Sequence, residues 1–501
     1  MEFVALQMRI DIKNSSNTIQ ATWLGIGSLV SLGFGIISAA ILSRFLSKTD
    51  YGTYKQVLYV YNTLLIVFTL GLPRAYSYFL ARVNKEEGFS LVQKINSIFF
   101  VLGAIFSIVL FFGSSLFADL LNNPELKLSL QYFSLTPIFM LPLMGIESVM
   151  ATYKQTYLSA IYIILTRVFM LLCVVLPVLF IQANARTAVI GFVISSILCC
   201  CIGLFIEKIP FKRCSKVVTA ITFKEILRFS LPLLVASIWG LIISSASQFF
   251  ISRYFGTEVF AEFANGYMEL PFAGMIISAT AAVLLPAFSK MAYNNDSIEI
   301  QRLWRSVTIK SAKIIFPLAI FCCVYAELIM QCLYGDLYSN SSIYFQIITV
   351  VNLIRIVPYA PIILALGKVK EYAKSHMVTA LMVVIMEYLC VSYFPSSIGI
   401  AVIATFCTSF CIYLQMRVIC RSLGVPIKDI IPFKELLIIV LLSAITSLAA
   451  GFILFVLPAM EHYLRLMVVA VISCCIYGGL CRMFKISYID IVKPYLNILR
   501  K

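Results

Sequence analysis

The first long apolar segment of the chain reads TIQATWLGIGSLVSLGFGIISAAILSRFL (residues 18–46) and contains no charged side chain before Arg44. A bilayer core of about 30 Å requires roughly 20 consecutive apolar residues in a helix. This segment is long enough to cross a membrane, and similar runs follow one another along the chain. The sequence therefore predicts a helical membrane protein rather than a soluble domain.

Fourteen segments of this kind are separated by short polar connections. The composition agrees, because 61% of the 501 residues are hydrophobic and only 12% are charged. The expected fold is an all-α integral membrane protein with about 14 transmembrane helices. Numbered 1–14, the segments span residues 18–46, 55–80, 94–120, 128–150, 155–181, 184–206, 229–252, 260–288, 311–334, 341–366, 372–394, 396–416, 435–457 and 461–481.

The formal net charge of +16 is a topology signal rather than an indication of nucleic-acid binding. The tails and alternate connections carry 29 lysines and arginines, whereas the other connections carry 7. Positive residues collect on the cytoplasmic side of membrane proteins. Both termini are therefore predicted to be cytoplasmic, with a basic inner face that suits anionic lipids.

Neither a metal site nor a cofactor is expected. Many of the 15 cysteines, such as Cys199 and Cys322, lie inside apolar segments and act as small hydrophobic residues. His376 and His462 stand alone, and no Cys-x-x-Cys pair accompanies a pair of histidines. No glycine-rich phosphate loop with its lysine is present, so ATP hydrolysis is not expected either.

An internal repeat relates segments 1–2 to segments 7–8. Ser43-Arg44-Phe45-Leu46 aligns with Ser252-Arg253-Tyr254-Phe255, and Tyr51-Gly52-Thr53-Tyr54 with Phe260-Ala261-Glu262-Phe263, at a constant offset of 209 residues. An offset of six helices preserves orientation, so parallel repeats about an axis along the membrane normal are expected. The predicted domains are an N-terminal lobe (residues 1–206), a cytoplasmic linker (207–228), a C-terminal lobe (229–420), and two additional helices with a cytoplasmic tail (421–501).

Proline pairs occupy equivalent segments of the two halves. Segment 4 contains Pro137 and Pro142, and segment 10 contains Pro358 and Pro361. Proline removes a backbone hydrogen bond, so it is tolerated at depth mainly where a helix is packed or lines a cavity. The paired prolines favour a cavity-lining role for both helices, and ordinary helix packing is the alternative.

Charged residues at bilayer depth are the candidate functional residues, because an unpaired charge there is costly. Arginines drawn from both halves favour a cationic cavity for a phosphate-bearing substrate. The alternative is that each arginine forms a structural ion pair, and Arg74 is also placed to reach the membrane interface. The candidate substrate-binding residues are Arg74, Arg167 and Arg355, with Asn352 and Tyr359 on the helical stripe of Arg355. The candidate coupling or charge-pairing residues are Glu262 and Glu269 on one face of segment 8, Glu327 and Glu147.

Several short motifs follow one another in a fixed order along the chain. They are Leu42-Ser43-Arg44-Phe45-Leu46, Asp50-Tyr51-Gly52-Thr53-Tyr54, Gly71-Leu72, Tyr267 and Leu285-Pro286-Ala287-Phe288-Ser289. In order and spacing, these motifs resemble Wzx-type polysaccharide flippases. The similarity covers residues 15–420 and implies the multidrug/oligosaccharidyl-lipid/polysaccharide exporter superfamily, with two six-helix lobes around a central cavity and often two additional helices.

This resemblance implies a substrate, an oligosaccharide repeat unit on an undecaprenyl diphosphate carrier. The unit would move from the cytoplasmic to the periplasmic leaflet of the bacterial inner membrane by alternating access. The resemblance also suggests coupling to a proton or Na⁺, with Glu269 and Glu327 as candidates, and an O-antigen or capsule pathway whose polymerase and glycosyltransferases are partners. A lipid II flippase and a multidrug antiporter remain alternatives. A membrane enzyme of envelope glycan synthesis is disfavoured by the short outer loops, so no enzymatic activity is expected.

Overall fold

The computed structural model describes residues 17–212, 217–456, 461–484 and 486–488. Residues 213–216 of the predicted linker, with Cys214, and parts of both tails lie outside this range. The described chain is helical, without a β-strand in those ranges. Twelve helices are long and apolar enough to cross a membrane, and a thirteenth is added when a helix with a 45° bend is counted. The all-α membrane fold is confirmed, whereas the number of 14 spans is not.

The helices and helical segments that correspond to the fourteen predicted segments are labelled α1–α14. The first six are α1 (Asn17–Phe45), α2 (Lys48–Phe68 and Pro73–Leu80), α3 (Lys85–Phe112), α4 (Glu125–Phe133, Thr136–Met140 and Ile146–Thr152), α5 (Thr156–Met170 and Leu176–Phe180) and α6 (Ala185–Glu207). The others are α7 (Phe223–Gly266), α8 (Pro271–Tyr293), α9 (Ser297–Val324), α10 (Ser341–Thr349, Val351–Ile354 and Ala360–Ala365), α11 (Val369–Tyr393), α12 (Ser397–Leu423), α13 (Phe433–Val456) and α14 (His462–Met483). The backbone of α7 leaves the helical conformation at Gly256, where φ is 83°, so α7 consists of two helical segments that meet at a kink. Because α10 consists of short segments, it does not reach the length of a continuous span.

Two compact units divide the chain, Met1–Ala261 and Glu262–Lys501. In the first, α1 packs along α5, and an aromatic core forms where Phe106 stacks on Tyr61 and on Phe68, with ring centroids 5.6 and 4.4 Å apart. In the second, α13 packs on α9 and α14 packs on α13. The unit boundary falls inside α7, and the predicted lobe boundaries stay a prediction.

Proline and glycine interrupt the helices of the first unit. The second helix breaks between its two segments, where Leu70 and Gly71 have φ of 47° and 72° and Pro73 begins the next segment. Gly71 suits this left-handed backbone because it lacks a Cβ. The fourth helix tightens into a 3₁₀ turn at Leu141–Gly145, which contains Pro142. In the fifth, a π-helical turn spans Leu171–Val175 because Pro177 cannot donate to the carbonyl of Cys173.

Two breaks in the second half overturn local sequence predictions. Segment 8 was predicted as one helix over residues 260–288, which is wrong: the chain leaves the helical conformation at Tyr267–Leu270, and α8 starts at Pro271. Pro271 lacks the N–H that would continue the preceding helix. Residues Arg355–Tyr359 likewise separate two segments of α10, close to Pro358 and Pro361.

Candidate functional site

A cavity of about 160 Å³ lies within the first unit, between α1, α2, α5 and α6. Arg167 lines it from α5, one turn before the π-helical turn, and its Nε donates to Ser31 Oγ at 2.7 Å. Lys55 lines the same cavity from α2, with its Nζ 5.2 Å from the centroid of the Tyr51 ring. This aromatic contact stabilises the ammonium group without neutralising it.

Neither cation of this cavity forms an ion pair with a carboxylate in the described ranges. An arginine facing lipid would cost about 3 kcal/mol on insertion scales, so a charge at this depth belongs in a hydrated or ligand-binding space. The cavity therefore holds two positive charges that an anion can neutralise.

Lys55 was missed as a candidate because segment 2 was predicted to start at residue 55. The structure starts α2 at Lys48, where the Ser47 side chain caps the helix by accepting from the backbone N–H of Asp50. This start places Lys55 two turns inside the helix. The serine with an acidic residue three positions later is an N-cap signal that the sequence already contained.

The second unit contains a different arrangement, in which two helix breaks face each other through an ion pair. Arg355 ends a segment of α10, and its Nη2 donates to Oε2 of Glu269, which lies in the break before α8. The two side chains are 32% and 49% exposed, so the pair remains accessible. Arg355 is therefore neutralised by a neighbouring carboxylate, unlike Arg167.

Asn352 and Tyr359 do not share a helical stripe with Arg355, because α10 ends at Ile354 and resumes at Ala360. Asn352 is buried, and its Nδ2 has no hydrogen-bond partner among the described residues. Tyr359 is also buried, donates from its hydroxyl to the carbonyl of Ile354 at 3.2 Å, and packs on the Trp304 ring. The expectation of one shared stripe is wrong.

The remaining candidates lie apart from one another. Glu262 is buried in the last part of α7 and accepts from Asn340 Nδ2 at 3.2 Å, whereas Glu269 lies in the break beyond it. The two glutamates therefore do not share a helix face, contrary to expectation. Glu147 and Glu327 are exposed in the first turns of short helices, and Arg74 is exposed just after the break in α2.

A polar contact network joins the end of α7 to the start of α2 within the first unit. Gln56, fully buried, donates to Ser252 Oγ at 2.7 Å and accepts from Asn123 at 2.6 Å. Beside it, Thr49 donates to Glu258 at 3.1 Å. These two residues are separated by 209 positions, which is the offset of the sequence repeat. We call this network the outer latch, after the side of the membrane on which the predicted topology places it.

A family model described as "Polysaccharide biosynthesis protein" matches residues 41–343. The chain belongs to this family. That assignment and the structural similarities below confirm the resemblance to Wzx-type flippases. No curated protein sequence matches the chain.

Solved structures of transporters share the fold of this family member. The lipid II flippase MurJ in an inward closed conformation has a TM-score of 0.70 and 14% identity, covering 93% of this chain and 100% of MurJ. An inward-facing multidrug resistance MATE family transporter of the MOP superfamily has a TM-score of 0.62 and 13% identity, over 79% and 99% of the two chains. A MOP superfamily transporter from Pyrococcus furiosus, described by a reverse polarity of its binding pocket, has a TM-score of 0.55 and 13% identity, over 82% and 97%.

Two buried acidic residues were also missed from the sequence. Glu387 is fully buried in α11 and Glu207 is 3% exposed at the end of α6. Each stands in or directly beside an apolar run, which was the signal used for the other glutamates. Glu207 escaped because segment 6 was predicted to end at residue 206, one position before it.

Proposed function

We propose that this protein is a flippase for lipid-linked glycans. It would carry undecaprenyl-diphosphate-linked repeat units from the cytoplasmic to the periplasmic leaflet of the bacterial inner membrane by alternating access. The observation that carries the proposal is the cavity with Lys55 and Arg167, two cations without a described carboxylate partner. A diphosphate diester supplies two negative charges, and guanidinium groups bind phosphate oxygens in a bidentate manner.

An apolar groove in the second unit suits the hydrocarbon part of such a substrate. It has a volume of about 510 Å³ and lies between α9, α10, α12 and α13. Its walls are mainly aliphatic and aromatic, and they include Phe316, Ile412 and Leu436. A polyprenyl chain gains free energy by burial in a preformed apolar groove, which supports a lipid-linked cargo over a free sugar.

Alternating access requires contacts that hold one side closed yet can be broken. The outer latch fits this requirement, since each of its hydrogen bonds contributes only about 0.5–1.5 kcal/mol net. Breaking a few of them is compatible with transport on a biological timescale. The interrupted helices α2, α4, α5 and α10 supply backbone positions where segments can reorient.

Two other cargoes are weighed against the proposal. Lipid II shares the carrier and the diphosphate, and the MurJ similarity makes a lipid II flippase the second candidate. A multidrug antiporter for organic cations is less suitable, because cationic side chains in the cavity repel cationic drugs. An enzymatic role finds no support in the family or in the transporter structures.

We also propose that transport is driven by a proton or Na⁺. Of the two sequence candidates, Glu269 is engaged by Arg355 and Glu327 is exposed, so neither is an isolated buried carboxylate. The glycan would belong to an O-antigen or capsule pathway, with its polymerase and glycosyltransferases as neighbours in the membrane.

Purified protein in liposomes tests the cargo directly. Liposomes containing a fluorescent undecaprenyl diphosphate oligosaccharide are treated with an impermeant quencher. The expected result is a second, slower quenching phase that protein-free liposomes lack and that is faster than the phase seen with fluorescent lipid II. Faster flipping of lipid II would favour the second candidate, equal rates would contradict a preference for the oligosaccharide, and no protein-dependent phase for either lipid would contradict the flippase proposal.

The predicted topology has its own test. Val218, in the linker between α6 and α7, is 82% exposed, so a cysteine introduced there is accessible. In intact cells, Val218→Cys is expected to react with an impermeant thiol reagent only after permeabilisation, with the unsubstituted chain as background. Reaction with intact cells would contradict the predicted orientation and place the linker on the outer side of the membrane.

A further inference from the structure

A buried chain of polar groups crosses the first unit near the end of α6. The hydroxyl of Tyr76 on α2 donates to Oδ1 of Asn96 on α3, and Asn96 Nδ2 donates to Oε2 of Glu207 at 2.6 Å. Their residues are 0%, 8% and 3% exposed, so water competes little for these bonds. The Tyr76 ring also packs directly on Gly145 of α4.

The second carboxyl oxygen of Glu207, Oε1, is buried. It has no hydrogen-bond partner in the described part of the protein. Glu207 lines a cavity of about 250 Å³ between α3 and α6, together with Gln93, Ser97 and Lys208. A cavity of this size has room for several water molecules. Asn96 and these four side chains supply the polar part of its lining, and the rest is apolar, with Phe89, Val92, Phe100 and Leu204.

A buried carboxylate with an unsatisfied oxygen is costly, and binding a proton removes the charge. We propose that Glu207 is a proton-binding site. Oε1 takes a proton from a hydronium ion in this cavity: an O–H bond of hydronium breaks, the carboxyl O–H bond forms and a water molecule remains. The reverse transfer to water regenerates the carboxylate and hydronium.

The titratable groups around Glu207 are compatible with its protonation. They are Tyr76 from α2, Tyr162 from α5, and Cys200 and Lys208 from α6 itself. Lys208 is the cation among them, and it favours the ionised form. From α3, Lys94 donates instead to the carbonyls of Thr219 and Ile221 in the linker. Asn96 from α3 and Gly145 from α4 do not titrate.

Protonation would act on the broken helix α2, and this step rests on the proposed flippase function. A hydrogen bond from Asn96 to a carboxylate is about twice as strong as one to a neutral acid. Proton binding therefore weakens the tie between Glu207 and Asn96, and through Asn96 the tie to Tyr76. Tyr76 belongs to the segment Pro73–Leu80, which follows the break in α2 and carries Arg74.

Infrared titration of the purified protein in nanodiscs tests the site without any transport. The unsubstituted protein is expected to show a protonated-carboxyl C=O band that disappears as the pH rises and is missing from Glu207→Gln. The matched control is Glu86→Gln, an exposed carboxylate on α3, which should keep the band. Glu262→Gln and Glu387→Gln separate the contributions of the other buried acids in the described ranges. An unchanged band in Glu207→Gln overturns the proposal.

Transport in liposomes then tests coupling. A pH gradient is expected to accelerate flipping by the unsubstituted protein and by Glu86→Gln, whereas Glu207→Gln should flip at one rate with or without a gradient. Persistent acceleration in Glu207→Gln would overturn the coupling role. If the unsubstituted protein flips no lipid-linked glycan, the proposed function fails, and the infrared result still decides whether Glu207 binds a proton.

Discussion

Flipping of lipid-linked glycan is expected to fall by at least about a hundredfold when Lys55 and Arg167 are both replaced by glutamine. Each charged hydrogen bond to a phosphate is worth about 1.5–3 kcal/mol, and about 1.4 kcal/mol corresponds to a tenfold change. Glutamine keeps a hydrogen-bonding group but removes the charge. The initial flipping rate in liposomes, at matched protein density, measures the effect.

Conservative and distant substitutions make this prediction specific. Arg167→Lys keeps the charge and loses the bidentate geometry, so its rate should lie between those of the unsubstituted protein and Arg167→Gln. Arg302→Gln removes an exposed arginine paired with Glu299 three residues earlier and should leave the rate unchanged. Normal flipping by the double variant would rule out the cavity as the diphosphate site.

The outer latch should fail when Gly52 is replaced by leucine. A Cβ at this position would lie 2.3 Å from the carbonyl oxygen of Thr257 and 2.7 Å from its Cγ2. Atoms cannot approach this closely, so a side chain at residue 52 must push the start of α2 away from α7. We expect flipping to be abolished, because the outward side can no longer close.

Cross-linking distinguishes a local separation of α2 from α7 in Gly52→Leu from misfolding of the whole protein. Cysteines at Thr49 and Glu258, whose side chains are in contact, should be joined by a bifunctional thiol reagent in the otherwise unsubstituted chain and much less when Gly52→Leu is added. Gly25→Leu is the matched control, because nothing lies within 4 Å of its Cβ position. Efficient cross-linking and flipping in Gly52→Leu would show that this close approach is not needed.

Local sequence patterns were sufficient for the fold class and for the broad family. Runs of about 20 apolar residues have few alternatives to a membrane helix, since the bilayer supplies no partners for an open backbone. The Tyr51-Gly52 motif identified the repeat and the resemblance. Residue 52 is a glycine because its backbone lies against Thr257, and only the arrangement of α2 and α7 in space shows this contact.

The effect of helix interruptions on side-chain positions could not be predicted from the sequence. Pro358 and Pro361 indicated a kink, yet the helical spacing of Asn352, Arg355 and Tyr359 was still assumed across it. Spacing arguments hold only where hydrogen bonding is continuous. Once α10 breaks at Arg355, each of these side chains takes a direction set by its neighbours.

The sequence by itself determined that charges such as Arg167 and Arg355 lie within apolar segments, because hydropathy depends only on the order of residues. The tertiary structure alone decided which of them are neutralised. Arg355 meets Glu269, 86 residues away, whereas Arg167 meets a serine hydroxyl and shares its cavity with Lys55. The net charge of a site depends on the charged side chains close to it in space, because the interaction between charges falls with distance rather than with sequence separation.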